Sequence, residues 1–198
     1  MRGKAMKLLC HRLKQMGEPL SNYRALEFFA RSGDWQTYAY VSEVKNLSAW
    51  EIDSNFKIDL KRNLPSAKIR IGDSYKLAHE KCYHGAFEFI VFDNPQNVFG
   101  DHCEHFDALP LISNLMSKQG VTIFNINRHP FNYAESPEWQ KRRNEYYGLD
   151  ASELDVDFLL DFYANQFADM GLKVRFSFEE QRNIEYLSYL VFGLERIL

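Results

Sequence analysis

Apolar residues along this chain keep two rhythms, and the rhythms alternate. Residues 4–16, KAMKLLCHRLKQM, place apolar side chains at Met6, Leu8, Leu9, Leu13 and Met16, close to helical spacing, with basic residues on much of the other face. Gly17, Pro19 and Ser21 then break the pattern. This predicts an N-terminal helical segment within 1–22, packed on the flank of a sheet. The spacing next switches to short apolar runs. Residues 25–30 (ALEFFA), 47–52 (LSAWEI), 67–71 (AKIRI), 87–92 (FEFIVF), 121–126 (VTIFNI) and 172–178 (LKVRFSF) read as strands, and 184–194 as a long final one. Phe87–Phe92 is apolar almost throughout, as expected of a central strand buried on both faces. Helical stretches fall between the runs: a short one after residue 33, 54–63 with Ser54 as N-cap and Pro65 at its exit, 74–81, 104–118 closed by Gln119-Gly120, and 153–170 ended by Gly171. Strands alternating with helices predict an α/β protein with a mostly parallel sheet. The last two strands are expected to form an antiparallel pair at the sheet edge, linked by residues 179–183.

No repeat or low-complexity segment divides the chain, so 1–198 is expected to be one domain. Residues 127–152 interrupt the alternation with two prolines, several aromatics and the run Lys141-Arg142-Arg143. They read as an insertion over the strand ends, helical around 138–147. The basic run reads first as a solvated helix face and second as a substrate contact. A formal net charge of −3 weighs against non-specific binding to polyanions, and no apolar run reaches the length of a membrane span. The basic N-terminus lacks the apolar stretch of a signal peptide, and three scattered cysteines do not form a disulfide framework. A cytoplasmic location is therefore expected.

Chemistry-bearing residues gather where predicted strands end. In residues 25–53 the first run contains Glu27, the small-residue turn Arg31-Ser32-Gly33-Asp34 follows, and the second run ends on Glu51. Strand, turn, helix, strand and acid is the layout of a nucleotide-binding βαβ unit, in which the acid takes both hydroxyls of a ribose. An ordinary βαβ crossover without a ligand has the same outline. Asp73 follows the third strand, where it can cap the next helix and also face a ligand. Asp93-Asn94-Pro95-Gln96 follows the strongest strand, and this sequence is either a plain turn or a site. His105 is a second candidate base, at the start of the next helix. Cys82, His84, His102, Cys103 and His105 are potential zinc ligands. Their spacing lacks a Cys-x-x-Cys pair and Cys82-Tyr83-His84 is too tight, so no metal is expected.

The order of these motifs resembles the class I S-adenosylmethionine-dependent methyltransferases, over roughly residues 20–195. LEFFARSGDWQT is similar to that family's first motif, above all to the form Leu-Asp-Leu-Phe-Ala-Gly-Ser-Gly found in methyltransferases of ribosomal RNA guanine. Glu27 stands for the aspartate, Phe29, Ala30, Ser32 and Gly33 match, and Arg31 occupies a glycine position. Glu51 matches the ribose-binding acid, Ile52 the apolar residue beside the adenine, and Asp73 the acceptor for the adenine amino group, with Ser74 next to it. Asp93-Asn94-Pro95-Gln96 stands where amino-group methyltransferases carry (Asp/Asn)-Pro-Pro-(Tyr/Phe), and departs from it at Asn94 and Gln96. The resemblance implies a Rossmann-like three-layer sandwich with a seven-stranded sheet, and S-adenosylmethionine as cofactor. It implies cofactor contacts from Glu27, Ala30, Ser32, Gly33, Glu51, Ile52, Asp73, Ser74 and Asp93. Asp93, Asn94 and His105 are the candidates for orienting or deprotonating an acceptor. The expected activity is methyl transfer to a small molecule or glycan, because the loop lacks the aromatic residue that stacks on a target base. A nucleic-acid base methyltransferase and a non-catalytic binding or scaffold module are the alternatives.

Overall fold

The computed structural model describes residues 3–34, 36–93, 104–128, 137–182 and 187–197, with only the backbone of residues 104 and 105. Seven strands form one sheet: β1 (Arg24–Phe28), β2 (Asn46–Glu51), β3 (Lys68–Ile71), β4 (Phe87–Phe92), β5 (Met116–Asn127), β6 (Leu172–Gln181) and β7 (Leu187–Arg196). Their order across the sheet is β3-β2-β1-β4-β5-β7-β6. β1 to β5 pair in parallel, and β7 runs antiparallel to both β5 and β6. The chain reverses direction in the sheet only at β7. As a result the N-terminal end of β7 lies beside the C-terminal ends of the parallel strands: Asn125 pairs with Tyr189 and Asn127 with Leu187. This is the Rossmann-like methyltransferase fold.

Burial follows the pleat from Phe89 onward, past a register irregularity between Phe87 and Phe89. Along β4, Phe89 and Val91 enter one core, while Phe87, Ile90 and Phe92 enter the other. Each such side chain contributes about 1.5–3 kcal/mol on leaving water. One core lies under α1 (Lys4–Gln15), α2 (Thr37–Tyr40) and α3 (Lys57–Asn63). The other lies under α4 (Ser74–Ala78), α5 (Glu104–Ala108), α6 (Ile112–Leu115), α7 (Pro137–Tyr147) and α8 (Val156–Asp169). No helix among the described residues is long and apolar enough to cross a membrane.

Several expectations need correction. α1 buries Met6, Leu9, Cys10 and Leu13, an i, i+3, i+4, i+7 stripe, and leaves Leu8 and Met16 exposed. Asp53, not Ser54, caps the next helical stretch: its side chain accepts from the Asn55 N–H, and a 3-10 turn (Ser54–Phe56) precedes α3. The predicted helix over 104–118 is two short helices separated by a 3-10 turn at Leu109–Leu111. Its last three residues already belong to β5, where Gln119 and Gly120 pair with Glu195 and Leu194. Strand pairing overrides the turn signal of Gln119-Gly120. The helix expected around 138–147 is α7.

Candidate functional site at the strand ends

The backbone turns sharply as it leaves β1. Phe29 and Arg31 hold positive φ angles of 56° and 48°, and Gly33 one of 67°. Arg31 thus adopts the left-handed conformation that glycine adopts most readily. Its N–H donates to Glu51 Oε2 at 2.6 Å, and the Asp53 N–H donates to Glu51 Oε1 at 2.9 Å. Two backbone donors therefore fix a carboxylate that is 5% exposed at the end of β2. The Arg31 guanidinium lies 5.6 Å from the centre of the Phe56 ring. Gly33 has a second reason to be glycine: a Cβ there would meet Leu64 Cδ1 at 2.6 Å. The Asn63 side chain donates to the Ser32 carbonyl at 2.8 Å, tying the turn to the end of α3.

Around Glu51 the surroundings change from polar to apolar within one residue. Ile52 is 67% exposed beside the buried acid. One strand further out, Asp73 accepts from the Tyr75 N–H at 2.9 Å and the Lys76 N–H at 3.4 Å through Oδ1, so it caps α4. Its Oδ2 lies 3.8 Å from Lys76 Nζ. Ser74 is buried. Two carboxylate acceptors and an exposed apolar side chain thus lie along the ends of the adjacent strands β2 and β3, an arrangement that can receive a ligand carrying hydroxyl or amino donors.

Glu27 lies deeper. Its carboxylate is buried toward α2, where the Tyr40 hydroxyl donates to Oε2 and Thr37 adds a side-chain hydrogen bond. Burial pushes the carboxyl well above its ordinary range, and the neighbouring charge of Asp93 pushes in the same direction. Asp93, just beyond β4, accepts two hydrogen bonds on Oδ1: from Tyr189 Oη at 2.7 Å and from Arg182 Nη1 at 3.1 Å. Burial raises its carboxyl to about 6, against the opposing pull of the Arg182 charge and the Tyr189 hydroxyl.

The structure therefore brings Ala30, Arg31, Ser32, Gly33, Glu51 and Ile52 to the ends of β1 and β2, sets Asp73 and Ser74 at the start of α4 just after β3, and joins Glu27 electrostatically to Asp93. Asn94 and the His105 side chain lie outside the described residues, as do His102 and Cys103. Among the described residues no group of three or more His, Cys, Asp or Glu side chains could hold a metal ion.

Arg182 and Tyr189 were not singled out from the sequence, and neither was the role of Arg143. In the Lys141-Arg142-Arg143 run each residue has its own partner. Lys141 Nζ is 3.7 Å from Glu145, and Arg142 pairs with Asp107. Arg143 is fully buried, donating to the Asn127 carbonyl at 2.9 Å and the Ala151 carbonyl at 3.1 Å, between Trp139 and Tyr147. A helical stripe signals this arrangement: Trp139, Arg143 and Tyr147 recur at i, i+4 and i+8.

No family model and no curated protein sequence matches this chain. Solved structures do. A provisionally assigned RNA methyltransferase from Pyrococcus horikoshii superposes with a TM-score of 0.58 at 15% identity, over 98% of this chain and 85% of its own. TYW2 from M. jannaschii, solved in complex with AdoMet, gives 0.58 at 12% identity, over 100% and 78%. The N-methyltransferase NodS from Bradyrhizobium japonicum gives 0.58 at 10% identity, over 96% and 93%.

Proposed function

We propose that this chain, which has the fold of class I S-adenosylmethionine-dependent methyltransferases, transfers a methyl group from that cofactor to a small-molecule or glycan acceptor at the C-terminal ends of β1 to β5. One observation carries the cofactor reading: Glu51 is buried at the end of β2 and held by the N–H groups of Arg31 and Asp53. The two donors meet part of the cost of burying this carboxylate and hold it at the strand end, where a ligand can use it. S-adenosylmethionine, when bound, supplies an electrophilic methyl group on a sulfonium. In this reading Glu51 accepts from the ribose hydroxyls, Ile52 covers one adenine face, and Asp73 accepts from the adenine amino group. The turn at 30–33 lets the ligand approach the backbone. Asp93 orients the acceptor and accepts the proton that it releases.

Charge supports the small-molecule or glycan reading of the acceptor. In the Lys141-Arg142-Arg143 run Arg143 is buried on two backbone carbonyls and the other two cations face Glu145 and Asp107, which weakens the run as a phosphate-binding stripe. Calorimetric titration of S-adenosylmethionine and S-adenosylhomocysteine into the wild type and Glu51→Ala tests the reading. Micromolar binding, weakened about tenfold or more by Glu51→Ala, is expected for the loss of a charge-assisted contact. No binding of either ligand at millimolar concentration would sink it.

A further inference from the structure

The β6–β7 hairpin closes one side of the sheet, and its end reaches Asp93 in the candidate site. Arg182 follows the last residue of β6, and its N–H donates to the Leu187 carbonyl at 2.9 Å, which closes the ladder. Across that ladder Glu180 pairs with Tyr189 and Gln181 with Ser188. The Ser188 hydroxyl donates to Glu179 Oε1 at 2.5 Å, and the Arg182 guanidinium lies 5.0 Å from the centre of the Tyr189 ring. Two donors on a braced ladder therefore meet one oxygen of Asp93. The side chains of Arg182 and Asp93 are only 9% and 13% exposed, so this contact is worth more than a surface ion pair.

We propose that Arg182 and Tyr189 are positioning residues, which hold the Asp93 carboxylate by one oxygen so that it meets the reacting centre in a single orientation. The inference rests on the methyltransferase reading for its purpose and on geometry for its content. Oδ1 is taken by the two donors, which fixes the carboxylate plane. Arg182 is the cation beside a pair of buried acids, Asp93 and Glu27. Among the described residues, the titratable groups facing Asp93 are Glu27 of β1, Tyr40 of α2, and Arg182 and Tyr189 of the hairpin. Of these, only the hairpin pair touches it and favours its charged form.

The test follows the Asp93 carboxyl by carbon-13 NMR from pH 4 to 9 in the wild type, Arg182→Gln, Arg182→Lys and Tyr189→Phe. The Asp93 midpoint is expected to rise by about one pH unit in Arg182→Gln, because a nearby opposite charge is lost. It should rise less in Tyr189→Phe and return toward the wild-type value in Arg182→Lys. Unchanged midpoints would overturn the proposal. Should Arg182→Gln not fold, Tyr189→Phe and Arg182→Lys decide it. A second arm measures the affinity ratio of S-adenosylmethionine to S-adenosylhomocysteine from pH 5 to 8, since the two ligands differ by the charge on sulfur. The ratio is expected to rise about fivefold as Asp93 ionises, at a pH that moves with the variants. A ratio flat with pH in the wild type would overturn the role at the reacting centre. Failure of both ligands to bind would sink the proposed function, while the NMR arm would still decide the positioning of Asp93.

Discussion

The two halves of the sheet hold their site carboxylates by different means. At the end of β2, Glu51 is held by backbone N–H groups of two turns, those of Arg31 and Asp53. Next to it Asp73 is held by the first turn of the helix that it caps. At the end of β4, Asp93 is held by side chains 89 and 96 residues further along the chain. The first kind of support is local and needs little of the fold beyond the strand ends. The second exists only once β7 has paired between β5 and β6. The half around Asp93, the acceptor half in the proposed function, is therefore the half in which long-range packing and chemistry are inseparable.

The largest expected effect breaks the acceptor half without touching a carboxylate. Arg143 is fully buried and bridges the Asn127 carbonyl at the end of β5 to the Ala151 carbonyl after α7. Arg143→Ala leaves two buried acceptors without this donor and a cavity between Trp139 and Tyr147. A loss of about 3–4 kcal/mol of unfolding free energy is expected in denaturant titrations. Arg143→Lys should lose less, because one ammonium cannot replace a planar fork. A change below about 1 kcal/mol in Arg143→Ala would show that the acceptor half does not depend on this tie.

The next effect sharpens the contrast through pH. The folded value of Asp93 is about 6, above its ordinary 3.8. Between those values the folded chain keeps a proton that the unfolded chain has released. Stability from this group is then fully present below about pH 4 and is lost as pH rises through the folded value, a change of about 2–3 kcal/mol. Buried Glu27 acts with the same sign. Unfolding of wild type and Asp93→Asn, measured from pH 4 to pH 7, should show a steeper decline for the wild type. Parallel curves would mean that Asp93 does not titrate in this window.

The same contrast explains what the residue order revealed. Local supports leave local signatures. The run Phe87–Phe92 and its buried alternation were legible because a central strand must be apolar on both faces. The places of Glu51 and Asp73 are legible because each acid follows a strand beside the backbone N–H groups that it accepts from. Arg182 and Tyr189 were not, since nothing around residue 93 announces partners in a hairpin some ninety residues on. The start of β5 is hidden in the sequence for a related reason. Residues 116–120 carry a polar, glycine-ended sequence, and only pairing with the end of β7 makes them strand. Asp53 was passed over as a cap because the adjacent Ser54 is equally suited to the role by type.

The smallest effect concerns Arg31, where the cofactor half departs from a glycine pattern. The turn needs two things of this position: a left-handed backbone and an N–H aimed at Glu51. Glycine supplies both. Arg31→Gly removes about 1 kcal/mol of left-handed strain. It also costs about 0.5–1 kcal/mol in backbone entropy and forfeits a contact with Phe56 worth about as much. Those terms nearly cancel, so the unfolding free energy should stay within about 0.5 kcal/mol of wild type. Arg31→Val keeps the N–H but places a β-branched residue at positive φ, and should cost about 1–2 kcal/mol. Because both variants retain the N–H to Glu51, Arg31→Gly should also bind S-adenosylmethionine within about threefold of wild type, less than 1 kcal/mol. A tenfold loss in Arg31→Gly alone would mean that the guanidinium itself contacts the ligand. The cofactor half would then depend, like the acceptor half, on a side chain as well as on its backbone.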